Sequence, residues 1–438
     1  MQLQLINFHT NDLFKEKLFK SWLKLAISAL AFAGLLSILI VALRTPGVEK
    51  FIPYRDFFRT ALVVHVDLSV LIWMISISSV FSQTIIKQEY CIFSKVAFYS
   101  SFFGTILIAA SPFIMDGNPE MNNYIPVLKN IIFFIGLGLF ICGSLIQIIA
   151  AILSFNYSKF SEVNYLAVYT TNIINFIAIL SFFIAAFKLS NLDYPIDDNY
   201  FYELIFWAMG HILQFSYVNL MMIAWLVIIG NISNVKYIFI LNLLIVIPTL
   251  IILSIYDIDS IEYKEFYTIH MRYFGGIAPG ILGIIVIYNI FKNKIFNAPL
   301  INSIILFFIG GAIGTIITAS NVTIPAHYHG SIVGVTLALM GASYKAIEQI
   351  YNAQIAKKWI NIQAYCYGIG QLVHISGLAW SGGYGALRKT PGAEFSMKAK
   401  FGMGLMGFGG LLAIIGGLIF VIICTKLVAK NKNTKVIY

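Results

Sequence analysis

The feature that most limits the fold of this chain is a succession of long apolar runs joined by short connections. A helix needs about 20 mostly apolar residues to cross the hydrocarbon core of a bilayer. Only 11% of the 438 residues are charged, against about 25% in a typical soluble domain. The sequence therefore predicts an all-α, polytopic membrane bundle of about twelve transmembrane helices, in which residues 1–438 form a single membrane-embedded domain. The candidate spans are 20–43, 58–82, 95–115, 130–156, 165–187, 201–229, 236–255, 264–291, 299–319, 322–350, 357–383 and 401–427.

The distribution of charge predicts the orientation of these spans. With the N-terminus inside, the inner segments hold 16 lysines or arginines and five acids, and the outer loops hold most of the remaining acids. Because positive residues accumulate on the cytoplasmic side of membrane proteins, both termini are predicted to be cytoplasmic. The net charge of +10 is then a sign of orientation and does not indicate a nucleic-acid partner.

Histidines are the most informative polar residues of the predicted spans. Odd-numbered spans run outward and even-numbered spans run inward, so the first half of an even span lies in the outer half of the membrane. His65, His211, His270, His327 and His329 all fall there, in spans two, six, eight and ten. A single histidine of this kind often bonds a backbone carbonyl, but five at one depth favour a layer of bound metal cofactors, since imidazole is the commonest metal ligand.

The segment AHYH constrains this layer further. Residues two positions apart on a helix are rotated by about 200°, so His327 and His329 point to opposite faces. They cannot both bind one metal. They can serve two cofactors that flank the same helix.

Twelve spans with histidines on these helices resemble the catalytic subunit I of the haem-copper oxidase superfamily. The segment VTIPAHYHGSIVGVTLALMG is most similar to the C-type (cbb) branch and its relatives, which include nitric oxide reductases. The resemblance implies that His65 and His329 bind a low-spin haem and that His327 is the proximal ligand of a high-spin haem. It also implies that His211 is the first copper ligand, and it places His270 where the family has two consecutive histidines.

The segment GGYGALRKTPG after span eleven resembles the basic pair that binds haem propionates in this family, here Arg388 and Lys389. The predicted topology puts both residues on the outer face, above the histidine layer, where cations would match the carboxylates of the propionates. The alternative is an ordinary pair of charges in an outer loop.

The copper site departs from the family pattern, because Met271 stands in place of the second histidine. A thioether is a soft ligand that suits Cu(I), so a site of His211, His270 and Met271 is one prediction. Loss of the copper, or its replacement by another metal, is the alternative.

The tyrosine that the oxidase branches join to a copper ligand is also missing from its main-branch position. Phe215 occupies its place in the main branch, four residues after His211, and the C-type branch carries it on span seven. Tyr263 and Tyr267, seven and three residues before His270, are the candidates for this role.

Two further polar residues lie outside the ligand set that the resemblance assigns. Asp67 is a carboxylate close to His65, where it would bond a ligand, carry protons or pack against polar neighbours. His374 in span eleven would hydrogen-bond a haem edge or substitute for the missing ligand.

The leading functional prediction is therefore an oxidoreductase, the catalytic subunit of a respiratory terminal oxidase in a bacterial inner membrane. It would pass electrons from the low-spin haem to a high-spin haem and copper centre that reduces dioxygen to water, coupled to proton uptake. Since the chain has no motif for CuA or covalent haem, partner subunits carrying CuA or cytochrome c would deliver the electrons. The alternatives are a nitric oxide reductase, a divergent member with an altered copper site and, from another class, a twelve-helix secondary transporter.

Overall fold

The computed structural model describes residues 6–43, 57–230, 232, 234–318, 320–387 and 396–429. Most of them are helical, which confirms the predicted all-α membrane bundle. Of the helical segments described, eleven are long and apolar enough to span a membrane; Lys357–Gly383, which is richer in polar residues, does not meet that composition limit. The helices are α1 Leu13–Leu43, α2 Phe57–Val66, α3 Trp73–Ser82, α4 Cys91–Ile114, α5 Ile131–Leu153, α6 Val163–Ser190, α7 Asp198–Ile229, α8 Lys236–Ile255, α9 Ile261–Phe274, α10 Ile277–Asn293, α11 Ala298–Thr315, α12 Thr323–Ile350, α13 Lys357–Gly383 and α14 Met397–Ala429.

Two of the predicted spans are not continuous α-helices. Span two changes from α2 to a π-helical segment, Asp67–Ile72, before it continues as α3. Such segments occur frequently at functional sites. Span eight is interrupted at Gly275 and Gly276, which separate α9 from α10. Pro279 lies in the first turn of α10, where its missing N–H costs no helical hydrogen bond.

The connection between α4 and α5 contains a small antiparallel hairpin that the apolar pattern did not predict. Strand β1, Asn118–Glu120, pairs with β2, Val127–Lys129. Asn122 shapes the turn between them: its Oδ1 accepts hydrogen bonds from the backbone N–H groups of Tyr124 and Ile125, at 3.0 and 2.9 Å. The hairpin thus holds the turn residues in one conformation at the end of these two helices.

The described chain divides into two compact units. Unit 1 comprises Met1–Leu36, Tyr54–Ile223 and Asn231–Leu282, and unit 2 comprises Ser37–Pro53, Ala224–Gly230 and Gly283–Tyr438. In unit 1, α4 packs along α5, α5 along α6, and α6 along α8. In unit 2, α11 packs along α12 and α13 along α14.

Small residues allow the closest helix contacts in each unit. In unit 1, a Cβ added to Gly104 of α4 would lie 2.6 Å from the Gly136 oxygen of α5. In unit 2, a Cβ on Gly330 of α12 would lie 2.4 Å from the Gly310 Cα of α11. Gly310 and Gly314, like Gly330 and Gly334, form a GxxxG pattern, which permits close backbone approach between membrane helices. These contacts fix where the side chains of α11 and α12 meet.

Candidate cofactor sites

His327 lies in the second turn of α12 and faces α11. Its Nδ1 donates a hydrogen bond to the Gly310 carbonyl oxygen at 2.8 Å. The ring fits against Gly314, where an added Cβ would lie 2.5 Å from Nδ1. The paired glycines therefore bring the carbonyl within reach and leave room for the imidazole. Because Nδ1 carries the proton, the lone pair of this ring is on Nε2.

His329 faces the opposite side of α12, toward α13. Its ring centroid lies 4.9 Å from that of His374, and the two rings meet edge to face. The Nδ1 of His374 in turn donates to the Met406 carbonyl oxygen of α14 at 2.9 Å. Two neighbouring histidines of one helix thus contact different helices of unit 2.

His65 of unit 1 shows the same hydrogen-bond pattern as His327 and His374. Its Nδ1 donates to the Ala33 carbonyl oxygen of α1 at 2.9 Å. In all three residues a carbonyl of another helix fixes the proton on Nδ1 and the orientation of the ring. Metal-ligating histidines commonly have this arrangement, with the second nitrogen as the ligand. The donor chemistry of His65 and His327 therefore fits a haem iron.

His211, on α7, has a different environment. Its Nδ1 donates to the carbonyl oxygen of Trp207, one turn earlier on the same helix, at 2.7 Å. Its Nε2 accepts a hydrogen bond from the Tyr124 hydroxyl at 2.8 Å. The side chain is 2% exposed. Both ring nitrogens are therefore engaged by the protein.

The other two residues predicted to bind copper do not complete a metal site. His270 on α9 donates through Nε2 to the Ile245 carbonyl oxygen at 2.9 Å, and its ring stacks against Phe266 and Phe274 at centroid distances of 5.3 Å. Met271 is partly exposed. No group of three or more His, Cys, Asp or Glu side chains that could hold a metal ion occurs among the described residues. Because both nitrogens of His211 are hydrogen-bonded within the protein, the residues present do not fit the copper centre of the resemblance.

Of the two candidate tyrosines, Tyr267 lies beside His211, and Tyr263 packs against Tyr267. The Tyr267 ring is 5.5 Å from the His211 ring, and the Tyr263 ring is 5.1 Å from Tyr267. The Tyr267 hydroxyl donates to the Thr249 carbonyl oxygen at 2.7 Å, so it is held by α8.

Tyr124 is the residue that sequence reasoning missed. It belongs to the hairpin turn, 87 positions before His211, and its ring centroid lies 4.7 Å from the imidazole. Burial raises the pKa of its phenol well above the usual value, and the nearby Glu203 carboxylate adds to this rise. The hydroxyl is therefore protonated at neutral pH and can donate to His211. Only its place in a turn between two spans distinguishes it in the sequence.

Asp67 is the first residue of the π-helical segment in span two and is 1% exposed. Neither carboxylate oxygen has a hydrogen-bond partner among the described residues. The hydroxyl of Ser69, within this segment, donates to the His65 carbonyl oxygen at 2.6 Å. Arg388 and Lys389, the predicted propionate ligands, lie outside the described residues.

The described chain is thus a set of long apolar helices in which His65, His327 and His374 each donate from Nδ1 to a carbonyl of another helix. The chain belongs to the family described as cytochrome C and quinol oxidase polypeptide I, whose pattern matches residues 17–419. This confirms the predicted superfamily and favours the oxidoreductase over the transporter alternative. The match does not distinguish the C-type branch.

The chain is also similar to two uncharacterised proteins and to a solved structure. The chain is 37% identical to an uncharacterised protein of Rickettsia prowazekii (strain Madrid E), over 98% of this chain and 99% of that protein. It is 25% identical to an uncharacterised protein of Aquifex aeolicus (strain VF5), over 77% of this chain and 86% of that protein. Its fold is similar to that of a haem-copper terminal oxidase dimer solved by cryo-electron microscopy, with a TM-score of 0.75 at 15% identity, covering 97% and 86% of the two chains.

Proposed function

We propose that this chain is the catalytic subunit of a respiratory terminal oxidase that reduces dioxygen with electrons carried by two haems. The observation that supports it most directly is the shared anchoring of His65 and His327, each by Nδ1 to a carbonyl of a neighbouring helix. Membership of the oxidase family supports the same reaction class. The haems, when bound, supply the iron that exchanges electrons and binds dioxygen.

The protein's part in this function is to hold the imidazoles. At His327, the hydrogen bond to Gly310 keeps the ring plane fixed and increases the basicity of Nε2, which would be the proximal ligand of the high-spin haem. The resemblance assigns His65 and His329 to the low-spin haem. The contact between His329 and His374 would set the orientation of the His329 imidazole.

The remaining elements of the proposal come from the resemblance and from charge. Arg388 and Lys389 would bind the haem propionates. Partner subunits carrying CuA or cytochrome c would deliver electrons, and protons would be taken up from the cytoplasmic side. The chain would lie in a bacterial inner membrane with both termini in the cytoplasm, as the distribution of lysines favours.

Nitric oxide reduction is the second candidate, because the centre departs from the oxidase pattern in two ways. The copper set of His211, His270 and Met271 does not form a metal site, and Phe215 replaces the family's tyrosine. A member of the superfamily with an altered second metal is consistent with both substrates.

A spectroscopic experiment tests the proposal. Full-length protein, purified after expression with adequate haem supply, is expected to show a low-spin haem band in the reduced-minus-oxidised spectrum. Carbon monoxide is expected to perturb a second, high-spin haem. His327→Ala should remove the carbon monoxide response, whereas the exposed His9→Ala should leave it unchanged. A preparation without haem would refute the proposal, and oxygen and nitric oxide consumption measured side by side would separate the two substrates.

A further inference from the structure

We infer that His211 and Tyr124 form a fixed hydrogen-bonded pair that takes the place of a copper ligand, so that no copper is bound at His211 and His270. The inference concerns the centre that the proposed function places near these histidines. It rests on the proposed function in one respect, since that function identifies copper as the metal expected at these histidines.

The hydrogen bonds of His211 leave no ring nitrogen for a metal. The carbonyl oxygen of Trp207 can only accept, so Nδ1 carries the proton. Nε2 therefore holds the lone pair and accepts from the Tyr124 hydroxyl at 2.8 Å. A single neutral tautomer of His211, with the proton on Nδ1, satisfies both hydrogen bonds. A copper ion would have to displace one of these two buried partners.

The position of Tyr124 is determined by several contacts in unit 1. Its ring lies against Gly210, where an added Cβ would lie 2.1 Å from Cγ, and against Trp207 at a centroid distance of 5.8 Å. Asn122 fixes the turn, and the next residue, Asn123, donates through its backbone to Glu203 of α7 at 3.0 Å. The glycine on α7 leaves room for the phenol ring, and the two asparagines of the turn hold the backbone of Tyr124 in place.

The hairpin is also tied to α7 at its other end. Lys129 of β2 forms an ion pair with Asp198, at the first turn of α7. The neighbouring Asp198 carboxylate raises the pKa of the Lys129 ammonium, so the pair is charged at neutral pH. The hairpin is therefore bonded to α7 on both sides of Tyr124, which keeps the phenol over the imidazole.

The surroundings of His270 agree with the inference. Its Nε2 donates to Ile245, which leaves the lone pair on Nδ1, and aromatic rings from Phe266, Phe274 and Phe215 surround the imidazole at centroid distances of 5.3 Å. This environment is typical of a histidine packed in an apolar core. Together with Met271, it provides no complete donor set of the kind that copper requires.

A double-mutant cycle tests the pair without reference to any cofactor. Tyr124→Phe removes the donor to a buried nitrogen, so it should lower the midpoint of thermal unfolding of the full chain. In a His211→Phe background the same change should have a markedly smaller effect, because the partner is already absent. Tyr202→Phe, which alters a tyrosine stacked on Phe134, is the control and should act equally in both backgrounds. Equal effects of Tyr124→Phe in both backgrounds would overturn the inference.

Metal analysis provides the second readout. The full chain, grown with added copper, should contain no copper above the level found for the His211→Phe variant. One copper per two haem irons, lost in His211→Phe, would overturn the inference. Haem content is measured on the same samples, and its absence would count against the proposed function alone, since the double-mutant cycle does not depend on haem.

Discussion

Gly314→Ala is the substitution that tests most sharply how the helix packing of unit 2 positions His327. The added Cβ would lie 2.5 Å from His327 Nδ1 and 2.7 Å from Cε1. Both distances are well below van der Waals contact, so the ring must move by about 1 Å. Such a movement would lengthen the hydrogen bond from Nδ1 to the Gly310 oxygen, now 2.8 Å, beyond bonding distance.

The energetic cost follows from three contributions. Loss of the hydrogen bond costs about 0.5–1.5 kcal/mol, and overpacking of a tight contact costs about 1–3 kcal/mol. Alanine recovers about 0.5–1 kcal/mol over glycine in a helix interior. The expected net loss of stability is therefore about 0.5–4 kcal/mol, with a displaced imidazole in the remaining folded protein.

The neighbouring glycine provides a matched control. Gly311 is on the same helix, and a Cβ added there meets no atom within 4 Å. Gly311→Ala should therefore leave the protein as stable as the native chain, or more stable by about 0.5–1 kcal/mol. Thermal unfolding in detergent and the carbon monoxide difference spectrum would be measured for both variants. If Gly314→Ala behaved like Gly311→Ala in both assays, the conclusion that Gly314 positions the His327 ring would be wrong.

Two other predictions concern polar residues outside the family pattern. His374→Ala should leave the haem content unchanged. It should shift the low-spin signal in electron paramagnetic resonance, because His329 loses its edge-to-face neighbour. Loss of a haem in this variant would instead show that His374 is a ligand. Asp67→Leu should raise the free energy of unfolding by about 1–3 kcal/mol, because it removes a buried carboxylate whose oxygens have no partner among the described residues. Chemical denaturation would measure this, and a destabilised variant would show that the carboxylate has a stabilising partner.

The sequence predicted the membrane bundle well because crossing a bilayer requires long apolar helices. The predicted spans 201–229 and 236–255 agree closely with α7, Asp198–Ile229, and α8, Lys236–Ile255. The break between α9 and α10 falls at a Gly-Gly pair followed by a proline, a signal present in the sequence. The π-helical segment Asp67–Ile72 has no such signal, since it contains neither glycine nor proline.

The site was harder to predict because it depends on contacts between distant residues. The spacing in AHYH was sufficient to separate His327 and His329, since helix geometry alone determines their directions. Nothing in the spacing revealed Tyr124, one of 24 tyrosines, as the partner of His211. The distribution of apolar residues also did not predict the hairpin that carries Tyr124, since a strand of three residues is too short to show an alternating pattern.

The histidines differ in the origin of the carbonyl that fixes the Nδ1 proton. At His65 and His327 that carbonyl belongs to another helix. Each of these rings is therefore oriented by the packing of two helices, and Nε2 is the nitrogen with the lone pair. At His211 the carbonyl belongs to Trp207 of the same helix, and the Tyr124 hydroxyl occupies Nε2. His65 and His327, both assigned to haem, thus keep a hydrogen-bond arrangement common among metal ligands, whereas His211, assigned to copper, has both ring nitrogens bonded within the protein, in agreement with the methionine at position 271.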